Sequence, residues 1–418
     1  MFGKSFTQFI IITSFVLSIN DITGVKKSEK IAQPVDVIVA SRAVKICQLV
    51  GDFDHQKQKP TQNLTNTRYK LESTDLGVPF KHKDRIYILF GDTNGPKKGD
   101  AIAYTTDRNP EDGLELTFLK DKDGVYAPIN IPGISQKDFE VPTEGVSING
   151  KMYIYHTTDH TEKVSMGRSV VAVSNYDSET VCREWSRPFP TDDEPNFTYL
   201  YDFSKKYFIN VSIVKINLSV GNRHACSLLY KNKGGGLVIF GSGIYRQSDV
   251  YLAFQPAEKI ESKESILYFA GVDTSGIPIW SKNEDDCKPL FHHPCVGELS
   301  ISYNKFIKKW IMLYNGDKPS GIILRTADNP WGKWSEPQVV FDPWKDKGYG
   351  HFMHISSESK KVDKVADPTR ENVWGSEYGP YQFEDFATGN KKSTTIYFTM
   401  STWNPYTVVL MKTTLKLK

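Results

Sequence analysis

The stretch Arg85-Ile-Tyr-Ile-Leu-Phe90 is a short run of aromatic, branched and other apolar residues that follows a turn signal at Lys83-Asp84. Runs of this composition, bounded by turn residues, are typical of β-strands. Similar runs recur further along the chain, as Lys151-Met-Tyr-Ile-Tyr155, Gly236-Leu-Val-Ile-Phe240, Lys309-Trp-Ile-Met-Leu-Tyr314 and Thr395-Ile-Tyr-Phe-Thr399. The sequence therefore repeats one strand-forming pattern at intervals.

A second apolar run follows each of these strands, and the last such run, Val408-Val-Leu-Met411, lies near the end of the chain. Five copies of one antiparallel unit predict an all-β fold, a five-bladed β-propeller, because a closed ring of sheets protects the strand edges. The fifth copy is one strand short, so we expect the N-terminal strand Ala43-Val-Lys-Ile-Cys-Gln-Leu-Val50 to close the ring. A pair of β-sandwiches is the alternative architecture.

The N-terminus differs from the rest of the chain. Residues 1–20 contain Lys4 and an apolar run, which is typical of a signal peptide, with an uncleaved membrane anchor as the alternative. Residues 21–41 are polar and lysine-rich and are expected to form a linker, and residues 42–418 a single propeller domain. We therefore expect a secreted, extracellular monomer. Four Asn-x-Ser/Thr sequences would accept glycans in a eukaryotic host, at Asn63, Asn196, Asn210 and Asn217.

The composition excludes several classes of partner. The 418 residues include 52 basic and 49 acidic residues, a net charge of +3 without a basic cluster, so we expect no nucleic acid. Apart from the N-terminus, no apolar run approaches the roughly 18 residues of a membrane span. The five cysteines form no Cys-x-x-Cys pair, so we expect no metal and no cofactor, although a structural cation in the central channel stays open. Cys287 and Cys295 bracket a short loop and are candidates for a disulfide.

Hairpin geometry predicts which residues lie opposite each other. In an antiparallel hairpin, the residue numbers of each opposing pair add up to the same value, which the position of the turn fixes. In the first repeat this places Asp75 opposite Asp92, and in the second it places Glu144 opposite Tyr155. The later repeats are expected to pair His224 with Ser242, Glu298 with Tyr314 and Asn315, and Tyr378 with Ser401 and Trp403. Since the innermost strands start at the same rim, one pocket is expected to collect Asp75, Asp92, Glu144, His224, Glu298, Tyr378 and Trp403.

Carboxylates and aromatic rings at the mouth of a propeller favour a carbohydrate site. Cleavage of a glycosidic bond needs one protonated and one ionised carboxyl, and neighbouring carboxylates such as Asp75 and Asp92 raise each other's pKa. The structural alternative is that Asp75 caps a turn and Asp92 binds backbone amides. No Gly-x-Ser-x-Gly motif or phosphate-binding glycine loop is present, and only distorted sialidase motifs occur.

Several motifs occur together: Thr74-Asp-Leu-Gly77, Ile88-Leu-Phe-Gly-Asp-Thr93, Gly297-Glu-Leu-Ser-Ile-Ser-Tyr-Asn304, Trp310-Ile-Met-Leu-Tyr-Asn315, Tyr378-Gly-Pro-Tyr381 and Met400-Ser-Thr-Trp-Asn-Pro-Tyr406. Over residues 44–416 this combination resembles glycoside hydrolase family 183, which contains endo-D-arabinanases acting on mycobacterial arabinan. The resemblance implies a five-bladed propeller whose catalytic pair falls on Asp75 and Asp92. Segments 186–222 and 256–264 and the linker do not match the family pattern.

We therefore expect a secreted glycoside hydrolase that cleaves arabinofuranosyl linkages in a polysaccharide. Asp75 and Asp92 are the expected catalytic acid and base, in either order. The residues expected to bind the substrate are Glu144, His224, Glu298, Asn315, Tyr378 and Trp403. The alternative is a propeller lectin or adhesin that binds carbohydrate without cleaving it.

Overall fold

The structure is a computed structural model that describes residues 36–174, 195–216, 235–359, 361 and 363–418. Its N-terminal elements are strand β1 (Val37–Gln48), the hairpin of β2 (Phe53–Asp54) and β3 (Lys59–Pro60), and helix α1 (Thr65–Tyr69). The remaining strands form antiparallel sheets arranged around a central channel. The predicted all-β, five-bladed propeller is thereby confirmed.

Each blade is one sheet. Blade 1 contains β4 (Leu76–His82), β5 (Arg85–Thr93), β6 (Gly99–Thr105) and β7 (Thr117–Phe118). Blade 2 contains β8 (Pro142–Ile148), β9 (Lys151–Thr158), β10 (Arg168–Ser174) and β11 (Phe197–Ser204). Blade 3 contains β12 (Asn210–Ile216), β13 (Gly236–Ser242), β14 (Val250–Pro256), β15 (Leu267–Val272) and β16 (Pro278–Ser281).

The last two blades complete the ring. Blade 4 contains β17 (Leu299–Asn304), β18 (Lys309–Asp317), β19 (Ser320–Ala327) and β20 (Gln338–Phe341). Blade 5 contains β21 (Glu377–Tyr378), β22 (Thr388–Asn390), β23 (Ser393–Thr402), β24 (Thr407–Leu417) and, from the other end of the chain, β1. Short 3-10 helices lie at Ala257–Lys259, Lys263–Ser265, Glu284–Asp286 and Glu384–Phe386.

Strand β1 closes the ring as expected. It pairs with β24 in antiparallel register, from Val37 opposite Leu417 to Gln48 opposite Val409. The strand begins at Val37, inside the segment assigned above to the linker. Residues 1–35, which include the predicted signal peptide, lie outside the described residues.

The hydrophobic core lies between neighbouring blades, and strand β13 shows why its sequence is apolar at every position. Leu237 and Ile239 pack with residues of blade 2, whereas Val238 and Phe240 pack with residues of blade 4. Successive side chains of a strand point to opposite faces, so a blade that is covered on both faces needs an uninterrupted apolar run. This accounts for the strand pattern on which the fold prediction rested.

Two possibilities that the sequence left open find no support in the structure. Cys287 and Cys295 are free thiols and do not pair. Asn63 and Asn210 are buried, so the folded protein has no room for a glycan on either side chain. Within the described part of the chain, no helix is both long enough and apolar enough to cross a bilayer.

Candidate active site

The innermost strands of the blades begin together on one face of the ring. Asp75 immediately precedes β4, Asn210 is the first residue of β12, Glu298 immediately precedes β17, and Tyr378 lies in β21. Because β4, β8, β12 and β17 are neighbours around the channel, these polar residues surround the same opening. We call this opening, defined by Asp75, Asn210, Glu298 and Tyr378, the upper mouth.

The residue opposite Asp75 in the hairpin differs by one position from the predicted partner, Asp92. The Gly91 amide donates to the Asp75 carbonyl at 3.2 Å, so Gly91, not Asp92, faces Asp75 across the hairpin. The difference arises because irregularities interrupt the ladder at Leu76 and again after Phe90. The two carboxylates are nevertheless neighbours, since the charge of Asp92 raises the pKa of Asp75.

The Asp75 carboxyl is almost completely buried, with 7% of the residue exposed. The Tyr378 hydroxyl donates to Asp75 Oδ2 at 2.9 Å, and Tyr406 also hydrogen-bonds this carboxyl. Burial raises the pKa of Asp75 well above its ordinary value, and the negative charge of Asp92 raises it further. A Cβ atom on Gly91 would lie 2.5 Å from Asp75 Oδ1, so the carboxyl fits only because this residue is glycine.

Asp92 is half-buried and lines a cavity of about 840 Å³. The Phe139 amide donates to both of its oxygens, at 3.1 and 3.0 Å. Burial raises the pKa of Asp92 to about 7, and the charge of Asp100 adds to this shift. Aromatic and basic side chains complete much of the cavity wall, among them Phe139, His160, Arg370, Trp403 and Tyr406.

A buried pair lies behind Asp92. Asp100 is the strand partner of Asp92 across β5 and β6, and its Oδ2 lies 2.7 Å from His156 Nε2. His156 Nδ1 lies 2.6 Å from the Thr157 carbonyl oxygen, which can only accept, so Nδ1 carries a proton. A second hydrogen bond, between Nε2 and Asp100 Oδ2, holds the other side of the ring. Burial raises the pKa of Asp100, against the opposing effect of His156.

Glu298 forms a second polar group at the upper mouth. The Tyr245 hydroxyl donates to Glu298 Oε1 at 2.9 Å, and the Arg246 guanidinium lies close enough to lower the pKa of this carboxyl. Burial outweighs the arginine, so the pKa of Glu298 stays above its ordinary value. Tyr245 and Arg246 follow the end of β13, and sequence reasoning did not identify either residue. The signal available was their position directly after a strand that ends at the upper mouth.

Several buried polar atoms near the upper mouth have no hydrogen-bond partner among the described residues. They are Asp75 Oδ1, Asn210 Oδ1 and Nδ2, Ser242 Oγ, Arg246 Nε, Glu298 Oε2 and Asn315 Oδ1. Buried polar groups in proteins almost always have partners, so this group of donors and acceptors is built to meet a ligand or water. The mixture suits the hydroxyl groups of a sugar, which both donate and accept. Among the described residues, no group of three or more His, Cys, Asp or Glu side chains is arranged to hold a metal ion.

Glu144 lies elsewhere. It pairs with Tyr155 as predicted, but it lines a separate cavity of about 590 Å³ where the innermost strands end. Its Oε1 accepts from the Gly145 amide at 2.9 Å, and its Oε2 accepts from the Ile213 amide of blade 3 at 2.8 Å. Burial raises the pKa of Glu144 to about 8. Glu144 and Asp92 therefore line different cavities.

The same end of the channel is held by similar bonds between blades. Ser212 of blade 3 accepts from the Ile301 amide of blade 4 at 3.0 Å, and Ser300 of blade 4 accepts from the Gln382 amide of blade 5 at 2.9 Å. We call this end, lined by Glu144, Ser212, Ser300 and Gln382, the lower mouth. Its polar side chains connect the blades to one another.

The remaining predictions for site residues have different outcomes. Glu298 lies level with Asn315 and Tyr378 faces Ser401, as the hairpin sums predicted, and Trp403 lines the cavity of Asp92. Ser242 faces Asn210 and not the segment near residue 224, because β12 lies earlier in the chain than predicted. His224 itself lies outside the described residues.

Sequence reasoning did not select Tyr406, Arg246 or Asp100. Tyr406 is the last residue of the motif Trp403-Asn-Pro-Tyr406, which was noted for its resemblance only. The pairing of Asp100 with Asp92 follows from the hairpin between β5 and β6, so the same arithmetic was able to find it.

Comparison with protein families gives one match over most of the chain. A family model described as a domain of unknown function, DUF4185, matches residues 61–412. The chain belongs to the DUF4185 family. Among curated proteins, no match to this DUF4185 chain is found.

Solved structures with a similar fold include a GH43_1 enzyme from Xanthomonas citri, an arabinanase from Bacillus subtilis and a glycosyl hydrolase from Bacteroides ovatus. Their sequence identities to the DUF4185 chain are 11%, 11% and 13%, and their TM-scores are 0.42, 0.38 and 0.42. The alignments cover 81%, 82% and 89% of this chain and 86%, 95% and 94% of those chains. At such values the similarity carries no argument about activity.

Proposed function

We propose that this protein is a glycoside hydrolase in which Asp75 and Asp92 form the catalytic pair. The observation that carries the proposal is the pair itself: two neighbouring carboxyls have raised pKa values in different surroundings, beside a cavity with aromatic walls. Two carboxyls whose surroundings separate their protonation states are the requirement for glycosidic cleavage. The family 183 resemblance points to the same two residues.

The surroundings of the two carboxyls suggest their roles. Asp75 is the more deeply buried group, so it keeps its proton at neutral pH and is the proposed proton donor to the glycosidic oxygen as the bond to the anomeric carbon breaks. Asp92 faces the cavity with a pKa of about 7 and is the proposed base or nucleophile once ionised. After each turnover, the proton released from water restores the protonated Asp75.

The proposed substrate is a polysaccharide with arabinofuranosyl linkages. This assignment rests on the family 183 resemblance of the motifs described above. Trp403 and Tyr406 supply aromatic surfaces beside Asp92, which suits sugar rings. The proposal includes export through the N-terminal apolar segment, action as a monomer and catalysis without a cofactor.

The test is release of reducing ends from a panel of polysaccharides that includes arabinan. We expect wild-type protein to release reducing ends from arabinan, and Asp75→Asn and Asp92→Asn each to lower the rate roughly 10²- to 10⁴-fold, the usual contribution of acid–base catalysis. The melting temperature of Asp92→Asn should stay near that of wild type, because the half-buried side chain accepts its hydrogen bonds from one loop amide, that of Phe139. Activity like that of wild type in both variants would contradict the assignment.

A substrate with a good leaving group separates the two roles. An aryl arabinofuranoside does not need a proton donor, so Asp75→Asn should retain much of its turnover on this substrate while Asp92→Asn should not. The reverse result would exchange the roles of the two residues.

One observation favours a second candidate, a propeller that binds carbohydrate without cleaving it. Asp75 is buried behind Tyr378 and Tyr406, and only Asp92 of the pair lines the cavity. Retention of a polysaccharide by the wild-type protein without any new reducing ends would support this candidate over the hydrolase.

A further inference from the structure

The long connection between blades 4 and 5 lies on the same face as the upper mouth. Strand β17 starts at that mouth, and each following strand of an antiparallel blade reverses direction, so β20, the fourth strand, ends on the face where β17 began. Strand β21 then starts again at the upper mouth. Residues 342–376 therefore cross this face from the outside of the ring to its centre.

This connection carries a group of aromatic side chains, Trp344, Tyr349 and Trp374, which we call the aromatic platform. The ring centroids of Trp344 and Tyr349 are 4.7 Å apart, those of Tyr349 and Trp374 are 5.4 Å apart, and those of Trp344 and Trp374 are 5.9 Å apart. Lys361 Nζ lies 4.5 Å from the centroid of the Trp344 ring. These contacts hold Trp344 in one orientation although 50% of the residue is exposed.

Hydrogen bonds connect the aromatic platform to the cavity of Asp92. Tyr349 hydrogen-bonds the Ser376 side chain, and the Ser376 carbonyl accepts from the Trp403 amide at 2.9 Å. Trp403 lines the cavity, and its ring lies 5.6 Å from that of Tyr406. Ser376 thus connects the aromatic platform with Trp403, which lines the cavity of Asp92.

We propose that the aromatic platform is a distal subsite that binds a sugar unit of a polysaccharide whose chain extends from the cavity. The proposal rests on the function proposed above and adds a preference for long chains over short ones. The half-exposed Trp344 ring suits the apolar face of a sugar ring, and the Lys361 ammonium beside it suits the sugar hydroxyl groups.

A protein partner fits the aromatic platform less well. A fully buried aromatic side chain contributes about 150–250 Å², and Trp344 is already half covered. Three such side chains bury a few hundred Å² at most, whereas stable protein interfaces bury about 1,200–2,000 Å². The continuity with the cavity of Asp92 is also unnecessary for a protein contact but is required for a polymer that reaches the carboxylates.

The test compares Trp344→Ala with wild type on a long and on a short substrate. Soluble arabinan serves as the long ligand, with binding measured by native electrophoresis in gels that contain the polysaccharide and KM by release of reducing ends; an aryl arabinofuranoside is the short substrate. We expect Trp344→Ala to weaken arabinan binding and raise its KM roughly 3- to 10-fold, and to leave kcat/KM on the aryl glycoside unchanged. Trp344→Phe should recover part of the affinity.

A matched control is Tyr199→Ala on β11, the outermost strand of blade 2, where 37% of the tyrosine is exposed. This variant should bind arabinan like wild type. The proposal is overturned if Trp344→Ala has the same gel mobility and the same KM for arabinan as wild type. It is also overturned if none of the polysaccharides in the gel slows the wild-type protein. An equal loss on the short substrate at unchanged melting temperature, or a change in oligomeric state, also overturns it. A third outcome separates the two proposals. If a polysaccharide slows the wild-type protein but not Trp344→Ala, and no reducing ends are released, the subsite is supported and the hydrolase function is overturned.

Discussion

The two mouths of the channel contain similar kinds of side chain in different states. At the lower mouth, Glu144, Ser212 and Ser300 each accept a backbone amide from the next blade. At the upper mouth, Asp75 and Glu298 each keep one buried carboxyl oxygen without a partner among the described residues. Both mouths place carboxyls out of water, and burial raises the pKa at each.

The difference separates polar groups that join blades from polar groups that are left for a ligand in the function proposed above. A buried polar atom that holds two blades together contributes to stability, and a buried polar atom without a protein partner destabilises the fold unless something else binds it. A raised pKa alone does not separate the two mouths. The presence or absence of a protein partner does, and substitutions at each mouth should therefore affect different properties.

The largest effect that sharpens this comparison is expected for Arg246→Lys at the upper mouth. Lysine keeps the positive charge near Glu298 but removes the buried Nε–H group, which has no hydrogen-bond partner in the described part of the chain. Loss of a charged hydrogen bond to the substrate costs about 1.5–3 kcal/mol, so kcat/KM on arabinan should fall roughly 10- to 100-fold. Steady-state kinetics measure this. An unchanged kcat/KM would mean that the unpartnered atoms do not contact substrate.

A smaller effect, of another kind, is expected for Glu144→Gln at the lower mouth. At pH 5 Glu144 is protonated, and both of its oxygens still have lone pairs for the Gly145 and Ile213 amides, whereas the glutamine nitrogen accepts nothing and places an N–H group against one of these amides. The free energy of unfolding should therefore fall by about 1–3 kcal/mol. Activity should stay near that of wild type. Urea denaturation at pH 5 together with the arabinan assay measures both, and a loss of activity as large as that of Asp92→Asn would break the distinction between the mouths.

The same variant has a pH signature. The pKa of Glu144 is about 8 in the fold, above its ordinary value of 4.5, so its contribution to stability is present below about pH 4.5 and is lost as the pH rises through about 8. Glutamine does not titrate. The free energy of unfolding of wild type should therefore fall relative to that of Glu144→Gln between pH 5 and pH 9, as measured by urea denaturation. A relative rise would contradict the raised pKa of Glu144.

The smallest effect is expected for Asp100→Asn, behind the upper mouth. The charge of Asp100 raises the pKa of Asp92, together with that of Asp138, while His156 lowers it. Removing Asp100 should lower the pKa of Asp92, so the rising limb of kcat/KM should move to lower pH by less than about one unit. A move to higher pH would contradict the direction of the Asp100 effect.

The sequence predicted the site best where hairpins are short. The turns of blades 1, 2 and 4 are tight, so the pairing of Glu144 with Tyr155 and of Glu298 with Asn315 followed from numbers alone. The predicted partner of Ser242 in blade 3 was wrong because residues 217–235 separate the first two strands, β12 and β13, and the sequence contains no short turn from which to count their register. The predicted partner of Asp75 was wrong by one residue because the sequence does not show where the strand ladder of blade 1 is irregular.

By itself, the sequence determined one central apolar strand in each blade, the five-bladed ring and the candidate pair Asp75 and Asp92, because these depend on local apolar patterns and short turns. Only the tertiary structure decided which polar groups have partners. Glu144 bonds to Ile213 of the next blade, and Tyr378 bonds to Asp75 from the far end of the chain. Such contacts join residues distant in sequence, so no local pattern distinguishes a structural carboxyl from one that is free for chemistry.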